Sequence, residues 1–221
     1  MSWSPDGKRL LYRSIDPAGT RLMWIAADGG EAPSELLSAG RDPYSAVMTR
    51  DGKSLVYRTG DVTSAFRDIF IVPMPGTGQP RVIVQSAKSE PDPMLSPDDK
   101  VIAYTSDVSG RMEVYLRALD WSGSLIHVSR NGGSEPVWSR DGRTLYYRSG
   151  RTVYAATLSG SPLSVVATRL LFDGTFLTDP GYRQYDIAPD GKHFLMLESV
   201  DRQAETIVVY NWAAELRKTL R

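Results

Sequence analysis

The chain has no cysteine and only two histidines in 221 residues. The first absence excludes disulfides, thiolate metal sites and cysteine nucleophiles, while leaving the compartment open. His127 and His193 fall on different predicted strands, and two imidazoles without cysteine cannot build a three-residue zinc set unless carboxylates join them. No metal and no cofactor is therefore expected. Charge of one sign is also missing, because 26 Lys and Arg balance 26 Asp and Glu. A net charge of zero gives no long-range field toward nucleic acid or an anionic membrane, so neither is an expected partner. No apolar run approaches the roughly 18–20 residues that cross a bilayer. The start Met1-Ser2-Trp3-Ser4-Pro5-Asp6-Gly7 lacks the basic and apolar regions of a signal peptide. As it stands the chain reads as soluble and untargeted, cytoplasmic by default, with the periplasm open to it as part of a membrane-anchored parent.

Catalytic signatures are missing as well. Gly52-Lys53-Ser54 ends like a phosphate loop, but Val47 stands where that loop needs its first glycine, and the triplet sits in a hairpin rather than at a helix start. There is no Gly-x-Ser-x-Gly elbow and no His-Arg-Asp or Asp-Phe-Gly. The scattered carboxylates form no glycosidase-like pair. The expectation is a chain without catalytic residues.

What is present is a repeat. Trp3-Ser4-Pro5-Asp6-Gly7-Lys8-Arg9-Leu10-Leu11-Tyr12-Arg13 recurs as Met48-Thr49-Arg50-Asp51-Gly52-Lys53-Ser54-Leu55-Val56-Tyr57-Arg58, then from Leu95, from Trp138 and from Ile187. The turn aspartates stand at 6, 51, 98, 141 and 190, giving intervals of 45, 47, 43 and 49 residues. That is the period of a propeller blade. Asp-Gly between alternating apolar segments reads as a hairpin tip, and Asp99, which replaces glycine in the third copy, tolerates the left-handed conformation better than most residues. A third strand follows in each copy with an aromatic near its centre (Trp24, Phe70, Tyr115, Tyr154), then a fourth, outer strand (Ser34–Leu37, Arg81–Val84, Leu125–Val128, Leu163–Val166). Four antiparallel strands per repeat without helical periodicity predict an all-β chain: a β-propeller of about five four-stranded blades. The repeats span about 1–39, 40–87, 88–130, 131–168 and 182–210.

Six residues after the turn aspartates stand Tyr12, Tyr57, Tyr104, Tyr147 and Met196, a ladder suited to the core between blades. Leu170–Tyr182, with two glycines and two exposed-looking phenylalanines, predicts a loop across one rim. After Thr206–Tyr210, Asn211 can cap a short C-terminal α-helix over 211–221 that carries Trp212, Leu216 and Leu220 on one face. The first repeat has an innermost strand of at most Ser2-Trp3-Ser4, and the last has no fourth strand. A tight five-bladed ring and an incomplete six-bladed ring completed by a longer parent protein are both open, and the second is favoured.

Ser-Pro-Asp-Gly followed by two apolar residues and tyrosine, at this period, resembles the TolB-like, WD40-like bacterial propellers. The resemblance covers nearly the whole chain, although copies two and four have Arg50 and Arg140 in place of proline, copy five has Ala188 in place of serine, and no copy has a Trp-Asp dipeptide. The ending Tyr185–Met196 followed by Ile207–Leu216 is similar to the C-terminus of propellers attached to bacterial eukaryote-type serine/threonine kinases. The resemblance implies a non-catalytic interaction or sensor module, the C-terminal part of a larger signalling protein, with a protein or peptide ligand. It also implies an alternative, the accessory substrate-gating propeller of a multidomain hydrolase of the prolyl-oligopeptidase type. The residues themselves offer one candidate binding set. Arg13, Arg58 and Arg148 occupy one repeat offset, seven after the turn aspartate, and in a ring they would stand at one height, able to bind an anionic group. The competing reading gives each arginine a carboxylate on a neighbouring blade.

Overall fold

The computed structural model describes residues 2–17, 19–37, 43–60, 67–76, 78–84, 93–120, 122–178, 183–188 and 190–198. Among them are eighteen strands and no helix. The helix expected at 211–221 and the strand expected at Thr206–Tyr210 lie outside the described residues.

The first sheet holds β1 (Ser2–Trp3), β2 (Arg9–Asp16), β3 (Gly19–Ala26) and β4 (Ser34–Leu37). The second holds β5 (Pro43–Met48), β6 (Ser54–Thr59), β7 (Ile69–Pro73) and β8 (Arg81–Val84). The third is built from β9 (Met94–Leu95), β10 (Val101–Ser106), β11 (Glu113–Ala118) and β12 (Ile126–His127). The fourth contains β13 (Ser134–Trp138), β14 (Thr144–Ser149), β15 (Thr152–Ser159) and β16 (Ser164–Asp173), and two strands of a fifth are β17 (Tyr185–Ile187) and β18 (Phe194–Met196). Every strand pairs antiparallel with its neighbour in sequence, so each sheet is a simple meander, the unit of a β-propeller.

The repeated turn is built alike each time. Ser4 Oγ donates to Asp6 Oδ1 at 2.6 Å, the Lys8 N–H donates to the same oxygen at 3.0 Å, and the Arg9 N–H donates to Ser4 Oγ at 2.9 Å. Thr49 with Asp51, Ser96 with Asp98 and Ser139 with Asp141 repeat the arrangement. Asp99 takes φ of 57°, as expected of a residue standing in for glycine.

Hydrophobic cores lie between sheets. Leu11 of the first sheet packs with Leu55 and Tyr57 of the second, Val56 with Ile102 and Tyr104 of the third, and Ala103 with Leu145 and Tyr147 of the fourth. Tyr57, Tyr104 and Tyr147 are buried as the ladder requires. Their cross-strand partners are Phe70, Tyr115 and Tyr154, at ring-centroid distances of 5.5, 6.1 and 5.3 Å. In the first sheet the register differs, since Tyr12 faces Met23 and Trp24 stands opposite Leu11.

Two expectations are corrected. The segment from Leu170 is not a loop from its start, because β16 carries its pairing with β15 as far as Asp173. Phe172 and Phe176 are half-buried and meet edge to face at 5.9 Å, with Phe172 5.1 Å from Phe194. The lengthened outer strand brings Phe172 against Phe194 of the fifth sheet, which the sequence pattern of the other repeats does not show. In the third sheet the outer strand is shorter than Leu125–Val128, pairing only at Ile126 and His127.

Candidate functional site: the central cavity

The first strands of all five sheets converge on one cavity of about 500 Å3, lined by Trp3, Tyr44, Arg58, Met94, Pro136 and Asp186 among others. Contacts between neighbouring first strands fix its wall. Ser2 Oγ donates to the Ala46 carbonyl at 2.9 Å, and the Trp138 indole N–H donates to the Met94 carbonyl at 3.2 Å.

Tyr44 sits between two of the sequence-predicted arginines. The Arg13 guanidinium lies 3.9 Å from its ring centroid and that of Arg58 lies 4.0 Å away. A ring face attracts a cation by roughly 2 kcal/mol when water is excluded, enough to hold two guanidiniums on one ring that would otherwise repel each other. Arg58 is only 1% exposed, and its Nη1 donates to the Gly60 carbonyl at 2.8 Å. On the opposite wall Arg183 stands 3.6 Å from Asp186, its Nη1 3.2 Å from Met94 Sδ. Among the described residues, the charged ones lining the cavity are Arg58, Arg183 and Asp186, and Arg13 adds its charge on the Tyr44 ring.

Arg148 is placed elsewhere. It is wholly buried, with Nη1 3.5 Å from Glu135 Oε1, and does not line the cavity. The structure therefore brings Arg13 and Arg58 together on one tyrosine and puts Arg148 beside a carboxylate of its own sheet. Comparison of repeats missed Tyr44, Arg183 and Asp186. Tyr44 and Arg183 both stand seven residues before a turn aspartate, where Pro91 and Ser134 stand in other copies, and a search for what recurs passes over a position that varies.

A second cluster looks catalytic and is not built for it. Glu113, Ser129 and His127 lie together, yet the Ser129 hydroxyl donates to Glu113 and accepts the Val114 N–H at 2.8 Å, while His127 Nε2 is 4.0 Å from the Glu113 carboxylate. A nucleophile needs an open path to its substrate, and this serine is only 1% exposed, its hydroxyl tied to Glu113 and to the Val114 N–H. Burial pushes the Glu113 carboxyl upward, but hydrogen bonds from Ser129, the Gly132 N–H and Arg111 outweigh it and hold the group below its ordinary range. Among the described residues no group of three or more His, Asp or Glu is arranged to hold a metal ion.

No family model matches the chain. The Tol-Pal system protein TolB of Bordetella pertussis is 32% identical over 119 residues, which is 54% of this chain and 26% of that protein. The match thus spans about a quarter of the relative's length. Among solved structures, the putative TolB of Agrobacterium tumefaciens superposes with a TM-score of 0.68 at 20% identity, covering 88% of this chain and 67% of that one. The oligogalacturonate lyase of Vibrio parahaemolyticus gives 0.61 at 15% identity, covering 91% and 59%. The lyase shows that this architecture also carries enzymes, but at that identity the likeness concerns the fold alone. Sequence similarity over about half of the chain and superposition over most of it both lead to TolB proteins, and with the meandering sheets they show a β-propeller with a TolB-like fold.

Proposed function

We propose that the chain is a non-catalytic interaction propeller whose central cavity receives an acidic, partly apolar segment of a partner protein. The observation that carries this reading is the Arg13–Tyr44–Arg58 stack at the cavity wall. A carboxylate entering the cavity meets the Arg58 guanidinium on its wall, with the Arg13 charge on the same tyrosine ring adding to the attraction. Trp3, lining the same cavity and more than half exposed, offers an apolar contact beside the charge. Arg148 supports the wall indirectly, through Glu135.

Similarity to a Tol-Pal system protein is compatible with a protein partner. The ending Ile207–Leu216 supports a place at the C-terminal side of a larger bacterial signalling protein of the kinase-linked kind. The gating-propeller alternative has in its favour the fold-level likeness to a lyase. The test is fluorescence anisotropy with short acidic peptides containing one aromatic residue, and with their amide-substituted counterparts. Arg13→Gln and Arg58→Gln should each weaken acidic-peptide binding about tenfold at low salt and leave the amide peptides unaffected. Equal binding by wild type and both variants, with folding checked by circular dichroism, would count against the cavity as the binding site.

A further inference from the structure

The outer strands of the first two sheets each press two consecutive apolar residues into the junction with the next sheet. Leu36 and Leu37, like Ile83 and Val84, are buried together, because β4 carries an extra residue at Leu36 and β8 at Ile83, where the pairing register shifts. Leu36 shares its core with Tyr57 and Phe70, and Ile83 with Tyr104 and Tyr115. The third outer strand, β12, pairs with β11 without such a shift. Val128 is buried as Leu37 and Val84 are, but the residue before it is His127, whose side chain is 40% exposed and stacks on Tyr115 at 4.7 Å. In place of a second buried apolar residue, the third junction has a cavity of about 400 Å3 beside the Tyr147–Tyr154 pair, and it shares no lining residue with the central cavity.

Tyr147 is 5% exposed, and among the described residues nothing bonds its hydroxyl or that of Tyr154, both of which line this cavity. A buried hydroxyl without a partner points to a group that the chain itself does not supply. Burial, with the charges of Tyr154 and Glu113 next in effect, pushes the Tyr147 phenol up to about 12, so it is a donor in neutral solution. Arg130 adds a guanidinium, and among the described residues no carboxylate lines the cavity. The Glu113 carboxylate nearby is already matched by Arg111, Ser129 and the Gly132 N–H. The rim is fixed in advance, since Arg111 donates to the Arg130 carbonyl and Ser149 Oγ to the Asn131 carbonyl at 3.1 Å. Two phenols and one guanidinium suit a single negative charge, while Val128, Val165 and Val166 give an apolar wall. We propose that this cavity binds a small carboxylic acid with an apolar body, its carboxylate held by Tyr147, Tyr154 and Arg130 and its body lying on the valines. The volume falls within the roughly 300–1,000 Å3 of small-molecule sites.

Isothermal titration of the full chain with phenylacetate and isovalerate, with their amides and with inorganic phosphate tests this. At least one acid should bind with a Kd of about 1 mM or tighter, and its amide about tenfold more weakly. Tyr147→Phe keeps the ring and should weaken the acid about tenfold, as should Arg130→Gln. Thr168→Trp, at an exposed position on the cavity wall, should block binding without touching the core. Arg58→Gln, in the central cavity, should leave it unchanged, so that this site and the peptide site stand or fall separately. Equal binding by wild type, Tyr147→Phe and Thr168→Trp overturns the proposal. So do amides that bind as well as the acids, binding of phosphate alone, or no binding by either acid, which leaves the two hydroxyls to ordered water.

Discussion

At the scale of single residues, Glu135 shows how much can hang on one side chain. It is buried with φ of 55°, a conformation that costs a non-glycine residue roughly 1–3 kcal/mol. In return, Oε2 accepts the Gln184 N–H at 2.6 Å, the backbone carbonyl accepts the Tyr185 hydroxyl at 2.8 Å, and Oε1 lies 3.5 Å from Arg148. Burial, with the charge of Glu135 next in effect, raises the Tyr185 phenol well above its ordinary value, so it stays a donor throughout the physiological range. Glu135→Ala removes the counter-charge of a guanidinium that has no access to water. The expected loss is about 3 kcal/mol or more in urea denaturation, with Glu135→Gln losing less because the amide still accepts from Gln184. None of this was legible in the sequence. Ser134-Glu135-Pro136 reads as extended chain before a proline, and Gln184 and Tyr185, which Glu135 binds, lie 49 and 50 positions away. Tyr57, Tyr104 and Tyr147 were legible because burial between sheets imposes one residue type at one offset.

At the scale of the element, the repeated turn was readable almost to the hydrogen bond, since its geometry is local. Its five aspartates are all held below the ordinary carboxylate range. For Asp6, Asp98 and Asp141 the hydroxyls of Ser4, Ser96 and Ser139 act most strongly, and for Asp51 and Asp190 the N–H groups of Lys53 and Lys192 do. Ala188 has no hydroxyl, and His193 Nδ1, 2.5 Å from Asp190, takes that place. A carboxyl lowered on folding adds stability above its unfolded value, near 3.9, and loses it as pH falls through the lowered one. The thermal midpoint should therefore hold from neutral pH to about pH 5 and fall below about pH 4, and replacing Asp6, Asp51 and Asp141 together by asparagine should flatten that fall. An unchanged acid slope in the triple variant would assign acid sensitivity to Glu113 or to other buried groups. Asp99 goes the other way, raised chiefly by burial, because its carboxylate turns inward to accept the Arg50 N–H at 2.6 Å from the neighbouring turn. That link, and the extension of β16 to Asp173, depend on a second sheet, and a pattern read one repeat at a time does not contain them.

At the scale of the molecule, equal numbers of acidic and basic residues leave no field to gather polyanions. The chain should pass through a heparin column at physiological ionic strength. Retention that falls steeply with salt would reveal a basic face that the total charge hides. Five repeats at a propeller period made the architecture legible from the sequence, whereas the cavity depended on first-strand residues that differ between copies. What recurs in this chain builds the scaffold, and what varies at the axis gives it a chemical character.

The sheets of this molecule join in one repeated way. Where one sheet meets the next among the first four, the residue five after the turn aspartate of the earlier sheet packs with those four and six after that of the later, so the contact is a standard coupling rather than a bespoke joint. Such a coupling lets genes lengthen or shorten by whole modules without inventing new packing, and it leaves the axis free to be rewritten one strand at a time.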